Sequence, residues 1–220
     1  AYQGDDYEWP YETSWNVPDT WATTVLGALP WLEAVDPVSA TVGSPDFVLT
    51  LTGENFVDGA TAYWNGEALP TAFGDSDLLT ATVEAAHLTA AGTAMLTVRN
   101  PGTDTLESNP LPFIVSNPKP EVAALSPASV LAGSGAFTLT VDGAGFVNGA
   151  SVLWNVAALP TTYISTTQLT AQVQAALITE GQTVGVVVHN PEPGGGASNT
   201  ALFTVQRANR VYLPLVLRNF

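Results

Sequence analysis

The sequence predicts an all-β protein built from two tandem sandwiches. Short segments alternate apolar and polar residues, 19 glycines and 16 prolines recur between them, and the 220-residue sequence matches itself at a shift of 90 residues. Alternation with a period of two indicates strands that bury one face. Glycine and proline supply the turns between such strands, and a self-match at a fixed interval indicates a duplicated unit. These observations favour an antiparallel sandwich over a fold with alternating helices.

The internal repeat aligns without a gap from Pro37 over Pro127 to Val115 over Val205. About 40% of the aligned residues are identical, which is typical of a duplicated structural unit. We expect each copy to be one domain. The predicted divisions are an N-terminal segment 1–31, repeat 1 at 32–115, a linker 116–121, repeat 2 at 122–205 and a C-terminal segment 206–220.

The first strand pattern in repeat 1 places Phe47, Leu49 and Leu51 on one face, alternating with Val48 and Thr50. Repeat 2 carries the same alternation at Phe137, Leu139 and Val141. A one-sided pattern of this kind predicts a half-buried strand.

A second strand follows a glycine-containing turn, and it places a tryptophan on the inward face. In repeat 1 the face is formed by Ala60, Ala62 and Trp64, and in repeat 2 by Ala150, Val152 and Trp154. We expect both tryptophans in the core. Further strands are predicted at 79–83, in a late run that ends at Asn-Pro and in a last run that ends at Val115. A single helical turn is predicted before the late strand. Repeat 2 shows the same order of elements.

The string SPASVLAGSGAFTLTVDGAGFVNGASVLWN, from Ser126 to Asn155, resembles the IPT/TIG immunoglobulin-like domains. The resemblance extends over both repeats, and the Gly, Phe and Trp-Asn positions occur in each. It implies about seven strands per copy in two tandem Ig-like sandwiches. It leaves function open, because such domains serve as spacers, adhesive modules, enzyme accessories and parts of DNA-binding factors.

The composition excludes several partners and kinds of site. Twenty acidic against five basic residues give a net charge of −15, so the chain would be repelled by nucleic acid and by anionic membrane surfaces. There is no cysteine, which excludes disulfides, thiolate zinc sites and cysteine nucleophiles. No apolar run approaches the roughly 18 to 20 residues that span a bilayer, so we expect no membrane insertion.

Candidate chemistry is sparse. His87 and His189 are matched by Leu177 and Arg99 in the other repeat, which favours ordinary surface histidines. Asp75 and Asp77 could approach a calcium ion, but repeat 2 has Ser165 and Thr167 in their places, so the fold does not depend on metal there. Asp5 and Asp6 form a similar pair, and the glycines at 194–196 predict a flexible hairpin loop rather than a phosphate cradle. We expect no enzyme activity, no catalytic residue, no metal and no cofactor.

The N-terminal segment is acidic and aromatic. It holds four of the six tryptophans and no Lys or Arg. A disordered tail is ordinarily poor in aromatic residues, so this composition predicts that the segment docks on a surface. The candidate interface residues are Tyr7, Trp9, Tyr11, Trp15 and Trp21.

The C-terminal segment is basic and apolar. It reads QRANRVYLPLVLRNF from Gln206, and it carries three of the five basic residues. As a strand it would be apolar on both faces, and Pro214 confines such a strand to a sheet edge or a groove. The candidate interface residues are Arg210, Val211, Tyr212, Leu213, Leu215, Leu217 and Arg218. The segment either folds back onto its own second repeat or adds to another molecule.

The function that these features predict is that of a non-enzymatic structural protein at the cell surface, exported by a signal peptide that is absent from this chain. Its partners would be copies of itself, joined head to tail into a filament or layer by strand addition at the terminal segments. An alternative is a carbohydrate-binding or adhesive module that stacks surface glycans on Trp9, Tyr11, Trp15 and Trp21. A third is an accessory piece of a larger enzyme.

Overall fold

The computed structural model describes residues 29–102 and 106–207. Each repeat forms two sheets packed face to face, which confirms the predicted all-β sandwich class. Among the described residues, no helix is both long and apolar enough to cross a bilayer.

Ten strands form repeat 1 and its borders. They are β1 Trp31–Asp36, β2 Ser39–Thr41, β3 Phe47–Glu54, β4 Thr61–Trp64, β5 Glu67–Ala68, β6 Thr71–Asp75, β7 Leu78–Val83, β8 Gly92–Asn100, β9 Leu106–Glu107 and β10 Leu111–Ser116. A single 3₁₀ turn at Ala85–Leu88 precedes β8, as the sequence predicts.

The strands of repeat 2 begin and end 90 residues later. They are β11 Glu121–Ser126, β12 Ser129–Leu131, β13 Phe137–Ala144, β14 Ser151–Trp154, β15 Ala157–Ala158, β16 Thr161–Ser165, β17 Gln168–Val173, β18 Gln182–Asn190, β19 Gly196–Ala197 and β20 Ala201–Gln206. The sequence predicts about seven strands per copy. The additional ones are two or three residues long, too short to show a period of two.

The sheet order is the same in both copies. One sheet of repeat 1 runs β1-β3-β7-β6 and the other β2-β10-β8-β4-β5, with β9 on the end of β8. Repeat 2 has β11-β13-β17-β16 and β12-β20-β18-β14-β15, with β19 on β18. β2 and β12 pair in parallel with β10 and β20, and the other ladders are antiparallel.

Each repeat encloses its own apolar core. Trp64 is 5% exposed with its ring 5.1 Å from that of Phe113, and Trp154 is 4% exposed at 5.0 Å from Phe203. The prediction that both tryptophans lie in the core is confirmed. The buried clusters of the two repeats share no residue.

Candidate interaction surfaces

The predicted interface residues all lie outside the described residues: Tyr7, Trp9, Tyr11, Trp15 and Trp21 at one end, and Arg210, Val211, Tyr212, Leu213, Leu215, Leu217 and Arg218 at the other. What the structure describes is where the chain enters and leaves the sandwiches. At the entry, Leu29 and Trp31 are 60% and 54% exposed.

The chain enters each repeat at one end and leaves it at the other. The Leu32 N–H donates to Asn109 Oδ1 at 2.9 Å, and Asn109 Nδ2 donates to the Leu32 carbonyl at 2.8 Å. The start of β1 therefore lies beside Asn109, two residues before β10, and β10 then runs about 20 Å to its end at Ser116, at about 3.3 Å per residue. Val122 and Asn199 repeat this arrangement. The described chain thus starts at the outer end of repeat 1 and stops at the outer end of repeat 2.

Asn109 and Asn199 also bond to the backbone of two of the edge strands. β1 and β11 are edge strands, and an edge strand offers unpaired backbone groups to other chains. The two asparagine side chains occupy both backbone groups of Leu32 and of Val122. The sequence interpretation did not identify this role. The signal that the sequence offers is a Ser-Asn pair that recurs at the same position of both repeats.

Two longer edges stay open. β2, β12, β5 and β15 are edges of two or three residues, whereas β6 and β16 have five each. Among the described residues no strand pairs with the outer side of β6 or β16. β6 and β16 are therefore candidate templates for strand addition, beside the six-residue edges β1 and β11.

The stretch of repeat 1 that contains the open edge is acidic. Residues 53–89 carry six carboxylates and no Lys or Arg. Glu67 is the first residue of β5 and Asp75 is the last residue of β6, and both are exposed. The matching residues of repeat 2 are Ala157 and Ser165.

A shallow acidic groove lies at the outer end of repeat 1. It has a volume of about 500 Å³, and Glu33, Glu54 and Asp77 line it together with Asn55. Asn55 Nδ2 donates to the Leu29 carbonyl at 3.2 Å, so the groove adjoins the point where the N-terminal segment joins β1. In repeat 2 the three acidic positions are occupied by Ala123, Ala144 and Thr167.

Asp75 and Asp77 form a turn. The Asp77 N–H donates to Asp75 Oδ1 at 2.9 Å, and in repeat 2 the Thr167 N–H donates to Ser165 Oγ at 3.2 Å. A hydroxyl thus replaces the carboxylate in the same hydrogen bond. No group of three or more metal-ligating side chains occurs in the part of the chain that the structure describes.

We expect calcium to leave stability nearly unchanged. Because the turn at Asp75 closes by a hydrogen bond that repeat 2 forms without any acid, a chelator should not shift the melting temperature. Saturating calcium should add far less than the roughly 2.7 kcal/mol that a ligand contributes at a hundredfold excess over its dissociation constant. Differential scanning calorimetry with calcium and with chelator checks this, and a large calcium-dependent rise would contradict it.

One polar cluster lies on the outer face of the second sheet of repeat 1. The Arg99 guanidinium lies 4.2 Å from the centre of the Tyr63 ring, and its Nη2 is 3.3 Å from Glu107 Oε1. The Thr97 hydroxyl donates to the same Glu107 oxygen at 2.7 Å. The Thr97 hydrogen bond, followed by Arg99, lowers the pKa of Glu107. This arrangement adds side-chain contacts between β8 and β9. Repeat 2 pairs β19 with β18 without it, because His189, Leu153 and Ala197 stand in the matching positions.

The loop at 194–196 holds the linker. Asn117 N–H donates to the Pro193 carbonyl at 2.7 Å, Asn117 Nδ2 donates to the Pro191 carbonyl at 2.9 Å, and the Gly195 N–H donates to the Asn117 carbonyl at 2.8 Å. Gly194 and Gly195 have φ of 72° and 64°, and a Cβ on either would lie within 3 Å of neighbouring atoms. The sequence interpretation gave the glycines the role of a flexible hairpin loop and did not identify their contacts with the linker. In the structure, the glycines permit the loop to pack closely against the linker.

The two histidines are half-buried. His87 Nδ1 lies 3.9 Å from Glu67 Oε2, and the His87 ring is 5.6 Å from the Trp64 ring. His189 lies on β18 opposite Ser151. Neither position contradicts the interpretation of both as ordinary histidines.

Comparison with known proteins supports the fold and identifies one of the repeats. Residues 120–205 match the IPT/TIG domain model. No curated protein matches the sequence. Among solved structures, the chain is similar to the Yersinia pseudotuberculosis adhesin InvE, with a TM-score of 0.51 and 20% identity over 82% of this chain and 59% of that one. InvD of the same organism has a TM-score of 0.32 and 18% identity, over 84% of this chain and 59% of that one. The chain therefore spans 59% of the length of either adhesin structure.

Proposed function

We propose that this protein is an exported, non-enzymatic structural subunit of the cell surface. Its copies join head to tail when the C-terminal segment 206–220 of one molecule adds as a strand to β6 of the next. The IPT/TIG match and the fold shared with InvE are compatible with such an adhesive or structural role.

The positions of the two chain ends support this mode of association. The described chain starts at the outer end of repeat 1 and stops, after β20, at the outer end of repeat 2. A segment that continues from the second end meets the first end of the next molecule in a head-to-tail arrangement. A heterologous contact of this kind propagates into a fibre when it does not close into a ring.

The observation that carries the proposal is the charge of the open edge at β6. The C-terminal segment holds Arg207, Arg210 and Arg218, whereas the stretch 53–89 that contains β6 holds six carboxylates and no Lys or Arg. Opposite charges speed the encounter and select the partner surface, and backbone hydrogen bonds with apolar contacts then supply the affinity. Exposed Phe73 in β6 offers an apolar contact for the incoming strand.

The acidic aromatic segment 1–31 contributes to the same receptor. It joins β1 beside the groove of Glu33, Glu54 and Asp77, so its carboxylates add to an end that is already acidic. Exposed Leu29 and Trp31 continue its apolar character into the described chain.

The edge charge can be tested by substituting residues that repeat 2 already carries at the matching positions. Glu67→Ala with Asp75→Ser should slow assembly several-fold at low salt, as followed by light scattering. The difference from the natural chain should fade once ionic strength shortens the screening length to about 8 Å or less. A control that removes two charges from repeat 2, Glu121→Gln with Glu180→Ala, should have a smaller effect. Equal assembly rates for the natural and the Glu67, Asp75 chains at low salt would contradict the proposed receptor.

Carbohydrate binding is the second candidate, and exposed Trp31 favours it because an exposed indole can stack on a sugar ring. A glycan array separates the two functions. Binding that disappears in Trp31→Ala or on removal of residues 1–21 would support the glycan-binding function.

A further inference from the structure

The open edge of repeat 2 differs from that of repeat 1 in charge. Residues 143–179 contain no Asp, Glu, Lys, Arg or His, whereas the matching residues 53–89 contain six carboxylates. The two stretches fold into the same strands in the same sheet order. The two edges therefore differ in the charge of their side chains and not in their backbone fold.

The uncharged stretch also carries two exposed large apolar side chains. We call residues 156–165, which include β15 and β16, the side edge of repeat 2. Val156 is 94% exposed at the tip of the β14–β15 hairpin, and Ile164 is 53% exposed in β16. Ala157, Ala158 and Thr162 are exposed between them. Repeat 1 has Gly66, Glu67, Gly74 and Asp75 where the side edge has Val156, Ala157, Ile164 and Ser165.

An open apolar edge of this kind is unusual in a soluble protein. Edge strands are ordinarily protected by charges, proline or shortness, because their free backbone groups recruit other strands. β6 follows that rule with Asp75, and β16 does not.

We propose that the side edge of repeat 2 binds the side edge of a second copy of this chain. β16 pairs antiparallel with β16 of the other copy about a two-fold axis, and Ile164 packs at the contact. Because a two-fold contact is closed, it forms pairs and does not propagate by itself.

The charge distribution favours a second copy as the occupant. Two molecules with a net charge of −15 repel each other, and they approach at least cost where neither presents a charge. Two β6 edges would oppose their carboxylates, whereas two β16 edges oppose only neutral side chains. The Arg-flanked C-terminal segment finds no charge partner at the side edge. The pairing is therefore separate from the head-to-tail contact, and the failure of one does not imply the failure of the other.

A single cysteine in the full chain tests this contact directly, because the natural sequence has none. In a two-fold antiparallel pair, residues near the axis lie opposite their own copies at about 5 Å, and diagonal neighbours lie at about 7–8 Å. Thr162→Cys, treated with a short bis-maleimide, should therefore yield covalent dimers. The matched control is Ala72→Cys, which places the thiol at the equivalent site of β6. A head-to-tail polymer sets no residue beside its own copy, so it does not produce this product.

Replacing the side edge by its repeat 1 counterpart should abolish the cross-link. The variant combines Val156→Gly, Ala157→Glu, Ile164→Gly and Ser165→Asp in the Thr162→Cys chain, and repeat 1 shows that the fold accepts these residues. An unchanged melting temperature confirms folding. Leu202→Ser, which removes an exposed leucine from another face of repeat 2, should leave the cross-link intact. Equal cross-linking of the Ala72 and Thr162 variants, no cross-link at Thr162, or persistence of the cross-link in the exchanged edge would overturn the proposal.

Discussion

Trp154→Ala should destabilise repeat 2 by about 3–5 kcal/mol and leave repeat 1 folded. The side chain is 4% exposed and packs on Phe203, so the substitution leaves a cavity between the two sheets. The cores of the two repeats share no residue, which confines the loss to one of them. Calorimetry should show one transition moving to lower temperature while the other stays.

Two further tryptophan variants serve as controls. Trp64→Ala should shift the other transition, because Trp64 is the matching core residue of repeat 1. Trp31→Ala should change stability little, since its side chain is 54% exposed. A melting profile of Trp154→Ala that matches the natural chain would place this tryptophan outside the stabilising core.

Deleting residues 210–220 should abolish polymers while both repeats stay folded. β20 already occupies its position between β12 and β18, so neither sandwich loses a strand. Negative-stain microscopy of the natural and shortened chains checks the loss of fibres, and circular dichroism checks the fold. The excised peptide, added to the natural chain, should occupy free receptors and stop growth.

The N-terminal segment should matter less and in a salt-dependent way. Deleting residues 1–21 removes acidic side chains from the receiving end, so association should weaken most at low ionic strength. High salt alone should slow assembly more than reverse it, because the apolar strand contacts persist. A natural chain that sediments as a compact monomer at all concentrations, with residues 210–220 protected from hydrogen exchange, would establish the fold-back alternative.

The principal strands were predictable because they bury one face. In a half-buried strand the apolar residues recur with a period of two. The burial of Leu49 and Leu51 could therefore be predicted without knowing which strand pairs with theirs. The same reasoning placed Trp64 and Trp154 inward. Because the repeat shows each strand pattern twice, two segments of the chain supported each predicted strand. β2, β5 and β9 were not predicted, because a strand of two or three residues is too short to show an alternation of apolar and polar residues.

The hydrogen bonds of the asparagines were not predictable. Asn109 and Leu32 lie 77 positions apart, and nothing local to either residue indicates their contact. The same holds for Asn117 and the loop at 194–196, where a glycine run typical of flexible loops packs on the linker and the Gly195 N–H donates to the Asn117 carbonyl. Both depend on where distant strands come together.

The sequence by itself determined the all-β class, the duplicated unit, the inward tryptophans and the charge contrast between the chain ends, because these follow from composition and local periodicity. The tertiary structure alone decided which strands are open edges. Edge status depends on the order of strands in a sheet, which long-range pairing sets, and on side chains such as Asn109 that bond to an edge strand from a distant position in the sequence. The acidic β6 and the uncharged β16 become candidate interfaces only when that order is known, because a strand with the same residues inside the sheet would have no free backbone to offer.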